Sequence, residues 1–214
     1  MRVLITAGPT YEALDPVRFL GNRSTGKMGY ALAEAWAATG ADVTLVSGPT
    51  ALPDPANPRI RTVRVESGRQ MLAACQAVAA DCAVWVFAAA VADYRPAEVA
   101  PTKIKKSDDH LTLALVKNVD VAATLGATKR TGEQFSVGFA LETNDELAHA
   151  RGKLTRKHFD LIVLNSLADP GAGFAHDTNQ VTLIDHHGLV ALPLQPKTAV
   201  AQAIVAAVRA RRGA

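Results

Sequence analysis

The segment GNRSTGKM, residues 21–28, has the spacing of small and basic residues found in phosphate-binding loops. Gly21, Gly26 and Lys27 fit the pattern G-x-x-x-x-G-K, in which backbone N–H groups hold phosphate oxygens. The pattern continues with a Ser or Thr whose hydroxyl binds Mg²⁺, but this chain has Met28 there. The segment therefore disfavours a nucleotide-kinase loop and indicates either anion binding at a helix start or simple capping of that helix.

A second segment, residues 88–106, joins three small residues to a run of lysines. The alanines at 88–90 would let a ligand approach the backbone, and Asp93 follows them. If the later part is extended, Lys103 and Lys105 share one side and Lys106 takes the other. The segment predicts a lysine-bearing flap that closes over phosphates, and the alternative is a solvated surface loop.

Two further segments could complete a site for a phosphorylated ligand. Phe139 follows Gly138 in GFALETND and could pack on a base, although such a residue is more often part of the core. Lys153 and Lys157 lie at positions i and i+4 of a predicted helix, so they share one face, which could equally be a solvated face.

The elements that must position these residues alternate between strands and helices. Apolar runs and period-two alternation predict strands at 2–8, 41–48, 59–67, 82–90, 111–116, 135–141 and 160–165. Helical spacing predicts helices at 24–40, 71–80, 119–128, 144–157 and 196–212. Ser24 or Thr25 can cap the first helix and Gly40 can end it. The chain closes with a hairpin at 179–194.

This alternation predicts a Rossmann-like α/β fold with three layers, α/β/α, and a mostly parallel sheet. We expect one domain over residues 1–214, with a C-terminal β-hairpin and a flap at about 94–110 after the central strand. The two long loops, 8–24 and 91–110, both follow the carboxyl ends of strands, where open α/β sheets bind ligands.

Composition narrows the function classes. The net charge is only +3, and aromatic residues make up 5% without interleaving the lysine clusters, so a phosphorylated small molecule fits better than nucleic acid. No apolar run is long enough for a membrane span or signal peptide. Cys75 and Cys82 indicate two ordinary, semi-buried thiols in a reducing cytoplasm. His186 and His187 have no third partner at metal-ligand spacing and are interpreted as turn residues.

A nicotinamide dinucleotide site is opposed by two details. The first strand leads into Gly8, Pro9 and Thr10 and not into G-x-G-x-x-G. The second strand ends in Ser47 and Gly48, where an acidic residue would bind a ribose hydroxyl.

Five segments together resemble the bacterial phosphopantothenate–cysteine ligase family. They are ITAGPTYEALDPVRFLGNRSTGKMGYALA, AAAVADYRP with PTKIKK, LVKNVDV, GFALETN and HFDLIVLN, in the family's order and at comparable spacing. The resemblance covers residues 3 to about 190. In that family the domain is often fused behind a flavin-dependent decarboxylase, so this chain resembles the free-standing form or an excised domain.

The resemblance implies a reaction in coenzyme A biosynthesis. CTP with Mg²⁺ activates the carboxylate of 4′-phosphopantothenate as an acyl-cytidylate, and the amine of L-cysteine then displaces CMP. It implies that Asn22 and Lys103 are catalytic and that Asn22, Gly26 and Lys27 bind substrate, while metal ligands stay unassigned. The implied CTP-binding residues are Ser24, Phe87, Ala88, Ala89, Asp93, Lys103, Val119, Asp120, Val121, Ala122, Phe139, Lys153 and Lys157.

The resemblance also implies a cytoplasmic homodimer with its site near the subunit interface. Val119 and Leu141 depart from the family's usual Pro and Ala, and Val119 could alter the loop around the base. Members outside bacteria can use ATP, but the KIKK and GFALET segments favour CTP. The alternatives are a non-catalytic nucleotide-binding module, which would not need Asn22 or Lys103, and a nicotinamide oxidoreductase on the same fold.

Overall fold

An eight-stranded sheet forms the centre of the computed structural model, which describes residues 1–105, 109–142, 145–166 and 176–213. In chain order the strands are β1 (Arg2–Ala7), β2 (Tyr11–Ala13), β3 (Phe19–Gly21), β4 (Asp42–Ser47), β5 (Ile60–Arg64), β6 (Val84–Phe87), β7 (Tyr94–Pro96), β8 (Leu115–Lys117), β9 (Phe135–Glu142), β10 (Leu161–Ser166), β11 (Thr178–Ile184) and β12 (Leu189–Pro196). The large sheet has the order β12-β11-β10-β9-β6-β1-β4-β5. Six of its strands are parallel, and the C-terminal hairpin β11–β12 adds two antiparallel strands at one edge.

Helices cover both faces of this sheet, as the sequence predicts. They are α1 (Lys27–Ala38), α2 (Gly68–Ala79), α3 (Val121–Gly126), α4 (Glu146–Arg156) and α5 (Lys197–Arg212). Successive residues of β1 serve opposite layers, because side chains alternate along a strand. Val3 and Ile5 pack in the core under α1 and α5, whereas Leu4 packs in the core under α2, α3 and α4. The three-layer α/β/α fold is therefore confirmed.

The two long loops contain short strands that the sequence analysis missed. The strands β2 and β3 form one small hairpin, and β7 pairs with β8 in another. The strand predicted at 111–116 is wrong in extent, because residues 111–114 are irregular and the strand covers 115–117. The predicted flap at about 94–110 likewise begins with ordered structure in β7.

Helix α1 begins differently from the prediction. Its N-cap is Gly26, with a φ of 79°, and no side chain within the described ranges caps it, so capping by Ser24 or Thr25 is wrong. The left-handed conformation favours glycine. Gly29 lets the helix approach β1, because a Cβ there would lie 2.5 Å from the Cβ of Ala7. The other end agrees with the sequence, since Gly40 follows the helix with a φ of 85°.

Strand order reverses between β1 and β6, because the chain runs from β1 outward through β4 and β5 and then returns to β6 on the other side. Ligands of open α/β sheets bind at the carboxyl ends of the strands at such a reversal. Both long loops leave the sheet there. None of the helices in the described ranges has the length and apolar character needed to cross a bilayer.

Candidate functional site

Two adjoining cavities open at the strand reversal. The larger has a volume of about 560 Å³ and the smaller of about 320 Å³. They share part of their walls, formed by Ala89, Val91, Phe139 and Lys153. The predicted site segments, which are far apart in sequence, therefore meet at one edge of the sheet.

The larger cavity contains most of the predicted nucleotide-binding residues. These are Phe87, Ala89, Asp93, Val119, Asp120, Val121, Ala122, Phe139, Lys153 and Lys157. Three phenylalanines line it, and the ring centroids of Phe87 and Phe159 lie 5.8 Å apart. Flat apolar rings with carboxylates nearby suit a base and a sugar, because the rings pack on the base and the carboxylates accept hydrogen bonds from hydroxyl groups.

The loop after β6 is held in place by side chains of the neighbouring segments. Ala89 N–H donates to Thr6 Oγ1 at 3.2 Å, and Ala92 N–H donates to Thr10 Oγ1 at 3.0 Å. Asn118 Nδ2 donates to the carbonyl of Ala92 at 3.0 Å. These bonds fix the backbone that forms the shared wall of the cavities before any ligand arrives.

An ion pair lies in the larger cavity between two predicted residues. Lys157 Nζ lies 2.9 Å from Asp120 Oδ2, and the other carboxylate oxygen of Asp120 accepts from Ala123 N–H at the start of α3. Lys157, the second of the two lysines predicted on one helix face, is the C-cap residue that directly follows α4. Lys157 is placed for electrostatic contact with a ligand by a carboxylate that also caps a helix.

The smaller cavity brings together the other predicted site residues. Asn22, Ser24, Gly26, Lys27 and Ala88 all line it. Asn22 Nδ2 donates to the carbonyl of Ala90 at 3.0 Å, so the loop before α1 is joined to the loop after β6. The N-terminus of α1 opens into this cavity, and the N–H groups of a first helical turn favour an anion.

Positive charge dominates the smaller cavity. Among the described residues, its lining carries three lysines, Lys27, Lys153 and Lys197, and no carboxylate. Lys27 Nζ lies 2.7 Å from Asp177 Oδ1, and this hydrogen bond and charge hold the pKa of Asp177 below its usual value. Burial, assisted by the charge of Lys27, lowers the pKa of Lys197. This lining can attract a polyanion and compensate its charge.

Lys103 does not line either cavity. Its neighbour Ile104 is clamped at both backbone groups, because its N–H donates to Asp15 Oδ2 at 3.0 Å and its carbonyl accepts from Arg18 Nη2 at 2.5 Å. Ala100 N–H also donates to the carbonyl of Leu14 at 3.0 Å. The predicted flap is therefore attached to the loop between β2 and β3 near Lys103, and Lys106 lies outside the described residues.

Sequence reasoning missed several residues of the two cavities. Phe159 and Asn118 line the larger one, and Asn165, Asn179 and Lys197 line the smaller one. Asn165 is the last residue of a strand predicted at 160–165, and this position at a carboxyl end was the available signal. Asn179 and Lys197 gave no such signal, because only the antiparallel return of β11 and β12 brings them to the site.

Cysteine chemistry is disfavoured. Both thiols are fully buried and free, and not semi-buried as the sequence suggested. Burial raises the pKa of Cys75 to about 12 and of Cys82 to about 11, so neither is a thiolate at neutral pH. Within the described ranges, no group of three His, Cys, Asp or Glu side chains could hold a metal ion.

Comparisons with known proteins identify the family of this chain. The family described as DNA/pantothenate metabolism flavoprotein C-terminal domain matches residues 1–211. The coenzyme A biosynthesis bifunctional protein CoaBC of Vibrio vulnificus strain YJ016 is 46% identical over 99% of this chain. The chain spans about half the length of that relative, 52%.

Solved structures give the same result. The crystal structure of the C-terminal domain of CoaBC is 41% identical, with a TM-score of 0.83, and the match covers 98% of this chain and 94% of that one. A Cab2 mutant in complex with phosphopantothenate-cysteine has a TM-score of 0.79 over 99% of this chain and 86% of its own, and at 21% identity it shows a shared fold. The chain belongs to the DNA/pantothenate metabolism flavoprotein C-terminal domain family.

Proposed function

We propose that this protein joins (R)-4′-phosphopantothenate to L-cysteine in coenzyme A biosynthesis, using CTP. The observation that carries the proposal is the pair of adjoining cavities, one aromatic and one cationic, that meet at Ala89 and Phe139. Membership of the family, and the similarity to proteins named for coenzyme A biosynthesis, supports the same reaction. The domain extent of 1–214 and a cytoplasmic location are part of this proposal.

In the first step, a carboxylate oxygen of phosphopantothenate attacks the α-phosphorus of CTP. An oxygen–phosphorus bond forms to give the acyl-cytidylate, and pyrophosphate leaves. Two anions must approach one another for this step, so cations and oriented N–H groups lower its barrier. The cytidine would lie in the larger cavity against Phe139, and the triphosphate would extend toward Ser24 and Lys27 in the smaller one.

In the second step, the amine of cysteine attacks the acyl carbon. A carbon–nitrogen bond forms, CMP leaves, and the amine loses a proton. Asn22 lines the smaller cavity, where its amide N–H can donate to the developing oxyanion and its amide oxygen can accept from the attacking amine. Lys103 would add a positive charge when the flap closes over the phosphates.

Mg²⁺ belongs to the proposal as the partner of the triphosphate. When bound, it would neutralise phosphate charge, and the triphosphate oxygens would supply most of its ligands, because no group of three metal-ligating side chains occurs in the described ranges. Asp93, which directly precedes the flap, lines the larger cavity and belongs to the proposed nucleotide site.

A homodimer is also proposed. Large apolar side chains are exposed on the two adjoining small hairpins, among them Phe19, Tyr94, Leu115 and Val116, with exposed fractions of 38% to 49%. Clusters of exposed apolar residues of this kind mark interaction surfaces. The hairpins flank the loops of the candidate site, so a partner subunit that covers them would lie close to the cavities.

A reaction assay tests the proposal. Phosphopantothenoylcysteine should accumulate only when CTP, phosphopantothenate, cysteine and Mg²⁺ are all present, with CMP and pyrophosphate as coproducts. Equal turnover with ATP would overturn the choice of CTP as the nucleotide. No turnover with either nucleotide would overturn the proposal that the protein is a ligase. A thermal-shift panel of CTP, ATP and NADPH separates the ligase from a nicotinamide-binding protein, since a ligand stabilises only the protein that binds it.

A further inference from the structure

We propose that Lys197 and Lys27 form a pyrophosphate-binding subsite at the outer end of the smaller cavity, and that Asp177 is an internal counterion which the phosphate groups displace from Lys27. This inference rests on the proposed function, because it assigns the site of the β- and γ-phosphates of CTP and of the pyrophosphate that leaves. Neither Lys197 nor Asp177 is among the site residues expected from the sequence.

The two lysine amines are held by consecutive residues. Lys27 Nζ donates to Asp177 Oδ1 at 2.7 Å, and Lys197 Nζ donates to the carbonyl of His176. Both side chains line the smaller cavity. Lys27 and Lys197 are 170 positions apart in the chain, yet they contact two neighbouring residues. They meet because the hairpin β11–β12 brings the start of α5 close to the start of α1.

Lys197 is unusual because it is buried, with 7% of its surface exposed. Burying an ammonium group costs free energy unless anionic or polar partners compensate it. Its amine carries three N–H donors, so donation to the His176 carbonyl is compatible with donation to a phosphate oxygen. Burial also lowers its pKa, and an arriving phosphate would favour its charged form.

Asp177 can leave Lys27 without movement of the backbone. Its carbonyl is fixed by the N–H of Lys197 at 2.9 Å, while its side chain is 88% exposed. Rotation of the side chain is therefore enough to transfer the carboxylate to water. An exposed ion pair of this kind is weak, whereas a phosphate that contacts two lysines and the first turn of α1 makes several charge-assisted hydrogen bonds.

The arrangement has a chemical consequence for the proposed reaction. With the carboxylate on Lys27, part of the positive charge at the start of α1 is compensated. When the phosphates arrive, the carboxylate moves to water and both lysines face the ligand. When pyrophosphate forms, the same carboxylate is beside the ligand and competes for Lys27, which favours release of the product.

Calorimetry with sodium pyrophosphate tests the subsite directly. Lys197→Gln should weaken pyrophosphate binding by about tenfold to a hundredfold, the effect of losing one charged hydrogen-bond donor. Lys197→Arg keeps the charge and should restore part of the affinity. Arg209→Gln removes an equal charge from an exposed position near the end of the same helix, and should change the affinity by less than about twofold.

Asp177→Asn tests the counterion with an exposed residue whose substitution should not affect folding. It should tighten pyrophosphate binding by about two- to fivefold, because the competing ion pair is lost. The inference is wrong if the unsubstituted protein does not bind pyrophosphate detectably. It is also wrong if Lys197→Gln and Arg209→Gln have equal affinities, or if Asp177→Asn binds pyrophosphate more weakly than the unsubstituted protein. If the variants show the expected changes in pyrophosphate affinity but the protein has no ligase turnover, the subsite is supported and the proposed function is wrong.

Discussion

The carboxylate of Asp15 accepts a hydrogen bond from the backbone N–H of Ile104 at 3.0 Å, across 89 positions of the chain. The same carboxylate accepts from the N–H groups of Val17 and Arg18, both at 2.8 Å, and from the guanidinium of Arg18. Burial tends to raise the pKa of Asp15, but these hydrogen bonds outweigh it and the pKa lies well below its usual value. Asp15 is thus an anionic anchor for the flap.

Asp15→Asn should loosen the flap at neutral pH, because an amide replaces a carboxylate that accepts hydrogen bonds from five N–H donors. Hydrogen exchange at Ile104 and proteolysis near Lys103 should become roughly tenfold faster. Since the folded-state pKa is depressed, the stabilisation is complete above about pH 4 and is lost as the pH falls toward the folded value. Protection in the unchanged protein should therefore be constant from pH 5 to 8.

The control for this variant is Asp54→Asn, which breaks the exposed pair of Asp54 with Arg64. It should leave exchange at Ile104 unchanged. Equal exchange rates in both variants would show that Asp15 does not anchor the flap.

Asn22→Asp should separate nucleotide binding from amide formation. A carboxylate at this position would repel a developing oxyanion and could not donate to the Ala90 carbonyl, which Asn22 now contacts at 3.0 Å. We expect CTP affinity by calorimetry to stay nearly intact while amide formation in single-turnover assays slows by about 10²-fold. A parallel loss of CTP affinity and turnover would make Asn22 a binding residue.

Lys103→Gln should lower turnover by about 10²-fold or more, by analogy with a lost oxyanion donor. The variant keeps approximate length and hydrogen bonding but removes the charge that closure would bring to the phosphates. Lys106→Gln should cost much less, because the sequence predicts that Lys106 takes the opposite side if the segment is extended. CTP with phosphopantothenate should also protect Lys103 from protease.

The flap hypothesis fails if the two lysine variants lose the same activity, or if the ligands give no protection. The segment would then be a solvated loop that the Asp15 anchor holds for structural reasons alone.

Gly138→Ala should disturb the aromatic wall of the larger cavity. A Cβ at this position would lie 2.1 Å from Cε2 of Phe159, so the ring must move. We expect a loss of about 1–3 kcal/mol in the free energy of unfolding and weaker CTP binding. Gly188→Ala is the control, because its Cβ would meet nothing within 4 Å, and a similar loss there would exclude the steric explanation.

Val116→Asp should convert the proposed dimer into a monomer, since it puts a charge into the exposed apolar hairpins. Light scattering after size-exclusion chromatography measures the mass directly. Leu189→Asp changes an exposed apolar residue of β12 and should leave the mass unchanged. If the unsubstituted protein already has the mass of a monomer, the proposed dimer is wrong.

The long periodic elements could be predicted from sequence, and the short or long-range ones could not. The apolar run Val3, Leu4 and Ile5 predicts a strand that is buried on both faces. The three-residue strands β2, β3 and β7 are too short to show a period. Gly26 takes the place of the expected Ser or Thr cap because the turn requires a φ of 79°, a left-handed conformation that favours glycine. The hydrophobic pattern of the sequence does not show this requirement.

For the site, resemblance and spacing identified ten residues that line the larger cavity, and also Asn22, Ser24, Gly26, Lys27 and Ala88 of the smaller one. Their roles, the use of CTP and the single domain stay predictions. Lys197 was missed because a lysine at the start of an alanine-rich helix is normally solvated. Its burial follows from the return of the C-terminal hairpin, which depends on contacts across most of the chain.

Phe139 belongs to the walls of both cavities. An occupant that shifts this ring in one cavity would change the space available in the other. The two binding equilibria would then be coupled through Phe139, one of the four residues that the cavities share. Thermodynamic linkage then requires symmetry: whatever factor a nucleoside imposes on the affinity of an anion, the anion imposes on the nucleoside. The ligand that binds first would then be set by the concentrations of nucleoside and anion, and no conformational step is needed to impose an order.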